Sequence, residues 1–135
     1  MIKAFVDSDV VLHALLRREP FYLPAINLLD LAHGSKIELC ISSIAFVNVN
    51  YFLRKASLNN RIEHLVRLRS IMPVINVHEN IIDLALKFSF TDFEDAVQYY
   101  AAVSADADYI ITRNIKDYTH SAIPVLTAEQ FLQTT

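Results

Sequence analysis

Three stretches of the sequence gather side chains able to do chemistry. An apolar run, Ile2 to Val6, delivers Asp7 and Asp9 immediately in front of a helical pattern. Asp92 and Asp95, with Glu94 between them, lie at a helix start, three positions apart and therefore on one face. A later apolar run ends in Thr112-Arg113-Asn114, with Asp117 three residues on. Acids that converge repel one another unless a cation lies among them. With oxygen donors and no cluster of cysteine or histidine, the hard ions Mg²⁺ and Mn²⁺ suit such a set. An ion of that kind polarises a phosphoryl group, activates a water and balances the charge of a leaving oxygen.

Simpler roles stand beside this one. Asp7 or Asp9 can cap the helix that follows. Thr91-Asp92-Phe93-Glu94 has the pattern of a capping box, in which Glu94 is a partner for Thr91. Asp95 in a first turn complements the helix dipole. The histidines at 13, 33, 64, 78 and 120 lack metal-ligand spacing and read as surface or cap residues. Ser42-Ser43 reads as a helix cap, and Gly34-Ser35-Lys36 lacks the glycines of a phosphate-binding loop.

The elements that must position these groups alternate. Strands are expected over 2–6, 37–41, 74–77, 108–112 and 123–126. Helices are expected over 9–18, 25–33, from Ser42 or Ser43 to Lys55, 60–70, 79–88 and from Thr91 to 105. Gly34, the only glycine, would sit at a helix C-cap, and Thr127 to Gln130 opens a short last helix with a capping box. Apolar strands alternating with helices specify an α/β three-layer sandwich around a mostly parallel sheet of about five strands. No linker or repeat divides the 135 residues, so one domain is expected over 1–135. In such a sheet, chemistry collects beyond the carboxyl ends of the strands, where the acids fall.

A hydrophobic content of 53% with 20% charged residues excludes a disordered chain. No apolar run reaches the length of a membrane span and no leader pattern is present, so no membrane association is expected. One cysteine, Cys40, precludes an internal disulfide and fits a cytoplasmic protein. The net charge of −3 is unevenly spread. Residues 54–69 carry Arg54, Lys55, Arg61, Arg67 and Arg69 against Glu63, whereas 79–95 carry five acids against Lys87. The two segments read either as solvated helix faces or as a basic ridge beside an acidic metal pocket.

Four segments in this order carry a family resemblance: "FVDSDVVLHALLRREPFY" at 5–22, "SSIAFVNVNYFLRK" at 42–55, "DFEDAVQYYAA" at 92–102 and "DYIITRNIKDY" at 108–118. Together they resemble the PIN domain, in the bacterial branch related to toxins of type II toxin–antitoxin pairs. The resemblance implies a parallel-sheet nuclease fold whose acidic pocket holds Mg²⁺ or Mn²⁺ and cleaves RNA by metal-activated water. It implies Asp7 and Asp95 as principal metal ligands, joined by Asp92 and Asp117. Asn48 and Asn114 fall where the family usually has Glu and Asp. Each can still coordinate through its amide oxygen and counts with Asp7 and Asp95 as a catalytic position, but each removes one negative charge. Ser8, Asp9 and Arg113 would face the substrate at the rim, with Asp117 or Asp92 as the ion-pair alternative for Arg113. Arg54 and Lys55 would track the RNA backbone, and Tyr51, Tyr99 and Tyr100 are either base-stacking or core residues. A cognate antitoxin and a homodimer follow from the same branch.

Two other functions are compatible with these residues. Asp7, Asp9 and Val11 satisfy the first motif of haloacid-dehalogenase-like phosphatases, in which Asp7 would be a nucleophile. Asn48 and Asn114 fit a PIN-like RNA- or protein-binding module whose catalytic power is weakened.

Overall fold

The computed structural model describes residues 1–87 and 92–135. Its elements in order are β1 (Ile2–Val6), α1 (Ser8–Leu15), α2 (Tyr22–Asp30), β2 (Ile37–Ser42), α3 (Ser43–Lys55), α4 (Arg61–Ile71), β3 (Val74–Ile75), α5 (Glu79–Lys87), α6 (Phe93–Ser104), β4 (Tyr109–Ile111), β5 (Val125–Leu126) and α7 (Ala128–Leu132). Short 3-10 turns occupy Leu31–His33 and Ile115–Tyr118. The five strands form one sheet in the order β3-β2-β1-β4-β5, and every pairing is parallel.

Alternation along β1 divides the interior into two layers. Ala4 and Val6 face a core completed by α1, α2, α3, α4 and α7, including Leu28, Leu53 and Phe131. Phe5 faces the opposite core, built with Cys40, Ile110 and residues of α5 and α6. Both faces of the sheet are therefore covered, which is why its strands are almost wholly apolar. Truncating a fully buried side chain such as Phe5 or Leu39 to Ala is expected to cost about 3–5 kcal/mol.

Several boundaries differ from the sequence reading, each for a local reason. Helix α1 stops at Leu15, three residues early, because Arg17 adopts a left-handed backbone with φ 51°. Helix α2 begins at Tyr22 and accommodates Pro24 in its first turn, where an N–H has no helical partner. Gly34 follows the 3-10 turn with φ −87° and ψ 175°, an extended conformation open to any residue. Strand β3 is two residues long. Helix α6 is capped by Asp92, whose side chain accepts from the backbone N–H groups of Glu94 and Asp95. The expected cap Thr91 lies outside the described residues, and Glu94 is engaged elsewhere. The capping box of α7, Thr127 with Gln130, forms as expected.

Candidate functional site

Strand register brings three chain ends into line. Phe5 pairs with Cys40 and Val6 with Ile111, so Asp7, Ser42 and Thr112 emerge together at the carboxyl edge of the sheet. Asp7 extends the pairing by donating its N–H to the Ile111 carbonyl at 2.9 Å, then caps α1. Its Oδ1 accepts from the Ser8 N–H at 2.8 Å and from Gln98 Nε2 at 3.2 Å. Its Oδ2 accepts from the hydroxyls of Thr112 and Tyr118, each at 3.1 Å. These donors fill roughly the four lone-pair sites a carboxylate offers.

The anchoring continues inward. Gln98 bonds through Oε1 to the buried Ser42 hydroxyl, which also caps α3 by accepting the Ala45 N–H at 3.0 Å. Burial, reinforced by the nearby negative charge of Asp7, pushes the Tyr118 phenol upward, so it stays a neutral donor. Gln98 and Tyr118 escaped the sequence reading. For Gln98 a signal existed: it is the one strongly polar residue of the buried "AVQYYAA" face and stands three positions after Asp95. Nothing in the spacing singles out Tyr118.

Asp9 is not a cap. In the first turn of α1, its Oδ2 lies 3.4 Å from Thr112 Oγ1 and 3.3 Å from the Arg113 backbone nitrogen. Thr112 has a single proton to give, and Asp7 is the nearer acceptor. Asp9 Oδ1 is buried and has no hydrogen-bond partner among the described residues. Burial, and then the charge of Asp7, pushes the Asp9 carboxyl up to about 7.

Helix α6 brings Asp95 to the same edge. Its carboxyl is also pushed up to about 7, first by burial and then by Asp92, Asp117, Asp7 and Glu94. Among the described residues, no cation pairs with it. Asp117 reaches the cluster from the 3-10 turn after β4, which is where the sequence placed it. Asp92 spends Oδ1 on capping, at 2.7 Å to Glu94 N and 3.2 Å to Asp95 N. Asn48 donates Nδ2 to Glu94 Oε1 at 3.0 Å. Asn114 is exposed and contributes backbone, its N–H donating to Thr112 Oγ1 at 3.3 Å.

The basic residues are arranged differently from expectation. Arg113 is exposed and makes neither proposed ion pair; its guanidinium lies over the Phe21 ring, 4.1 Å from the centroid. Lys3–Glu38 is the ion pair found among the described residues. Arg54 and Lys55 occupy the last turn of α3, roughly 18 Å along the axis from Ser43 at 1.5 Å per residue. Asn48, which bonds Glu94, lies six and seven residues before them on the same helix. His13 is buried and stacked against Phe21 at 4.7 Å, contrary to a surface role, and burial lowers its pKa. Tyr99 is buried while Tyr51 is exposed.

Among the described residues, no three acidic, histidine or cysteine side chains stand ready to hold a metal ion. Mg²⁺ keeps several waters and is commonly held by one or two carboxylates with substrate phosphates. An oxygen-only donor set, the orphaned Asp9 Oδ1 and a carboxylate cluster without counter-charge fit a hard ion held in that way.

The sequence matches the PIN domain family over residues 3–116. In fold, the chain is similar to VapBC-1 from nontypeable Haemophilus influenzae, with a TM-score of 0.69 and 13% identity over 95% of this chain and 99% of that one. It is also similar to a toxin–antitoxin complex from Klebsiella pneumoniae, with a TM-score of 0.66 and 22% identity over 93% and 97% of the two chains. The sarcin-ricin loop cleaving toxin VapC20 of Mycobacterium tuberculosis gives a TM-score of 0.62 and 14% identity over 79% and 86%. No curated protein matches the chain.

Proposed function

Because the chain belongs to the PIN domain family, we propose that it is a Mg²⁺- or Mn²⁺-dependent endoribonuclease and the toxin of a toxin–antitoxin pair. The observation that carries this reading is the convergence of Asp7, Asp92, Glu94, Asp95 and Asp117 at one sheet edge, where no cation among the described residues pairs with them. Asp7 and Asp95 would hold the ion, with Asp117, Asp92 and the orphaned Asp9 oxygen as supplementary or water-bridged donors. When bound, it supplies a Lewis acid for the phosphodiester and lowers the pKa of a water.

The chain's own residues set up that task. Gln98, Thr112, Tyr118 and the Ser8 N–H fix the rotamer of Asp7. A cation held at Asp7 would replace one of the donors that now occupy its oxygens. Asp9, its carboxyl pushed up to about 7 by burial and by the charge of Asp7, is placed to take up and release a proton at neutral pH.

The likeness to a toxin–antitoxin complex supports a cognate antitoxin. The exposed apolar side chains Val47 and Tyr51 on α3 and Ile62 and Val66 on α4 support a homodimer. Family placement leaves no ground for the phosphatase reading. The donor-saturated Asp7 and the Asn48–Glu94 bond favour, as a second reading, an RNA- or protein-binding module of weakened activity.

The deciding experiment is cleavage of pooled RNA with Mg²⁺, Mn²⁺ or EDTA, alongside metal-binding calorimetry, for the wild type, Asp7→Asn and Asp95→Asn. Metal-dependent cleavage abolished in both variants is the expected result. No cleavage and no binding by the wild type at millimolar metal would leave the binding module.

A further inference from the structure

A half-open cavity of about 380 Å³ lies beside the acidic edge, walled in part by His13, Pro20, Phe21, Pro24, Arg113 and Glu129. It is joined to that edge through Arg113, whose backbone N–H donates to Asp9 Oδ2 while its side chain forms the cavity wall. Its volume falls in the range of small-ligand sites, roughly 300–1,000 Å³. The Arg113 guanidinium carbon lies over the Phe21 ring, 4.1 Å from its centroid, and His13 stacks on the same ring at 4.7 Å. Arg113 is exposed, and no carboxylate among the described residues pairs with it. It thus presents a planar cation, backed by an aromatic platform, whose own hydrogen-bonding edge is not committed to an acid.

We propose that this cavity receives one unpaired nucleobase of the RNA strand whose phosphate lies at the acidic edge, the base stacking on the Arg113 guanidinium. The proposal rests on the ribonuclease reading and adds to it a base-binding subsite. Guanidinium planes and aromatic rings are the surfaces on which splayed-out bases stack. The rigid proline-flanked wall around Phe21 suits a flat, ring-sized guest.

The test is fluorescence anisotropy of labelled single strands in EDTA, comparing oligoadenylate with an abasic ribose-phosphate strand of equal length. The wild type is expected to bind oligoadenylate about 10-fold more tightly, within the range of one stacked base. Arg113→Lys keeps the charge and removes the plane, so it should bring oligoadenylate down to the abasic level while leaving abasic binding as it was. Phe21→Leu removes the platform and should act in the same direction, which keeps the test alive should one variant fold poorly. Equal binding of the two strands by the wild type, or equal losses on both strands in Arg113→Lys, would overturn the proposal and make Arg113 a phosphate contact. Cleavage assayed in parallel separates the two readings. Cleavage without base preference removes the subsite and keeps the nuclease; base preference without cleavage removes the nuclease and keeps the subsite.

Discussion

Asn48 on α3 donates its side-chain amide to Glu94 on α6 across 3.0 Å, tying together the two helices that flank the acidic edge. By resemblance, position 48 is where PIN domains usually carry a glutamate. Here an amide occupies it, and a carboxylate from the opposite helix stands within hydrogen-bonding distance. The charge absent from α3 is therefore present on α6, held by the residue that replaced it.

Asn48→Asp would convert that bond into a like-charge contact. The metal-free variant is expected to lose about 1 kcal/mol, the net worth of a hydrogen bond, with added repulsion. Urea denaturation in EDTA and in millimolar Mg²⁺ checks this, with the deficit shrinking when the ion is present.

Asp95→Asn should divide stability from activity. Removing a charge that burial and four acids disfavour is expected to raise the metal-free melting temperature by about 2–5 °C. Metal-dependent RNA cleavage should be lost in the same variant. Thermal melts and cleavage assays on one preparation read both.

Asp9 and Asp95 make metal-free stability depend on pH. Both carboxyls sit at about 7 in the folded protein against 3.8 when unperturbed, so between these values the folded chain holds protons that the unfolded chain has released. Their stabilising contribution is complete below pH 3.8 and is lost as the pH rises through about 7. His13, lowered from 6.5 by burial, acts in the opposite sense, its neutral form favouring the fold as pH rises. Urea midpoints for wild type and Asp9→Asn across this window isolate one carboxylate, and the variant should show the weaker loss on raising the pH.

Tyr118→Phe removes one of the donors to Asp7 Oδ2. A hydrogen bond from a buried phenol to a charged acceptor is worth roughly 2 kcal/mol, and equilibrium denaturation should show a loss of that order. Mg²⁺ affinity by calorimetry should hold or improve, because one protein donor no longer competes for the Asp7 carboxylate.

The sheet was legible because each strand is an apolar run interrupted by turn chemistry, and parallel order followed from the helices between strands. Asp7, Asp95 and Asp117 were legible because strand ends and a helix start reveal where an open sheet gathers its acids. What sequence spacing misplaced were side chains whose direction depends on tertiary contact. Arg113 lies on Phe21 instead of bonding an acid. His13 looked polar and is buried, because Phe21 returns to cover it from the next helical segment.

The contacts that hold Asp7 also fix when the site comes into being. Its hydroxyl partners lie 105 and 111 residues later in the chain. At about 5–20 residues per second, a growing polypeptide exposes Asp7 on the order of ten seconds before Tyr118 is made. For that interval the first strand carries its carboxylate without the hydroxyls that orient it, and a growing chain shorter than 118 residues lacks part of that anchoring.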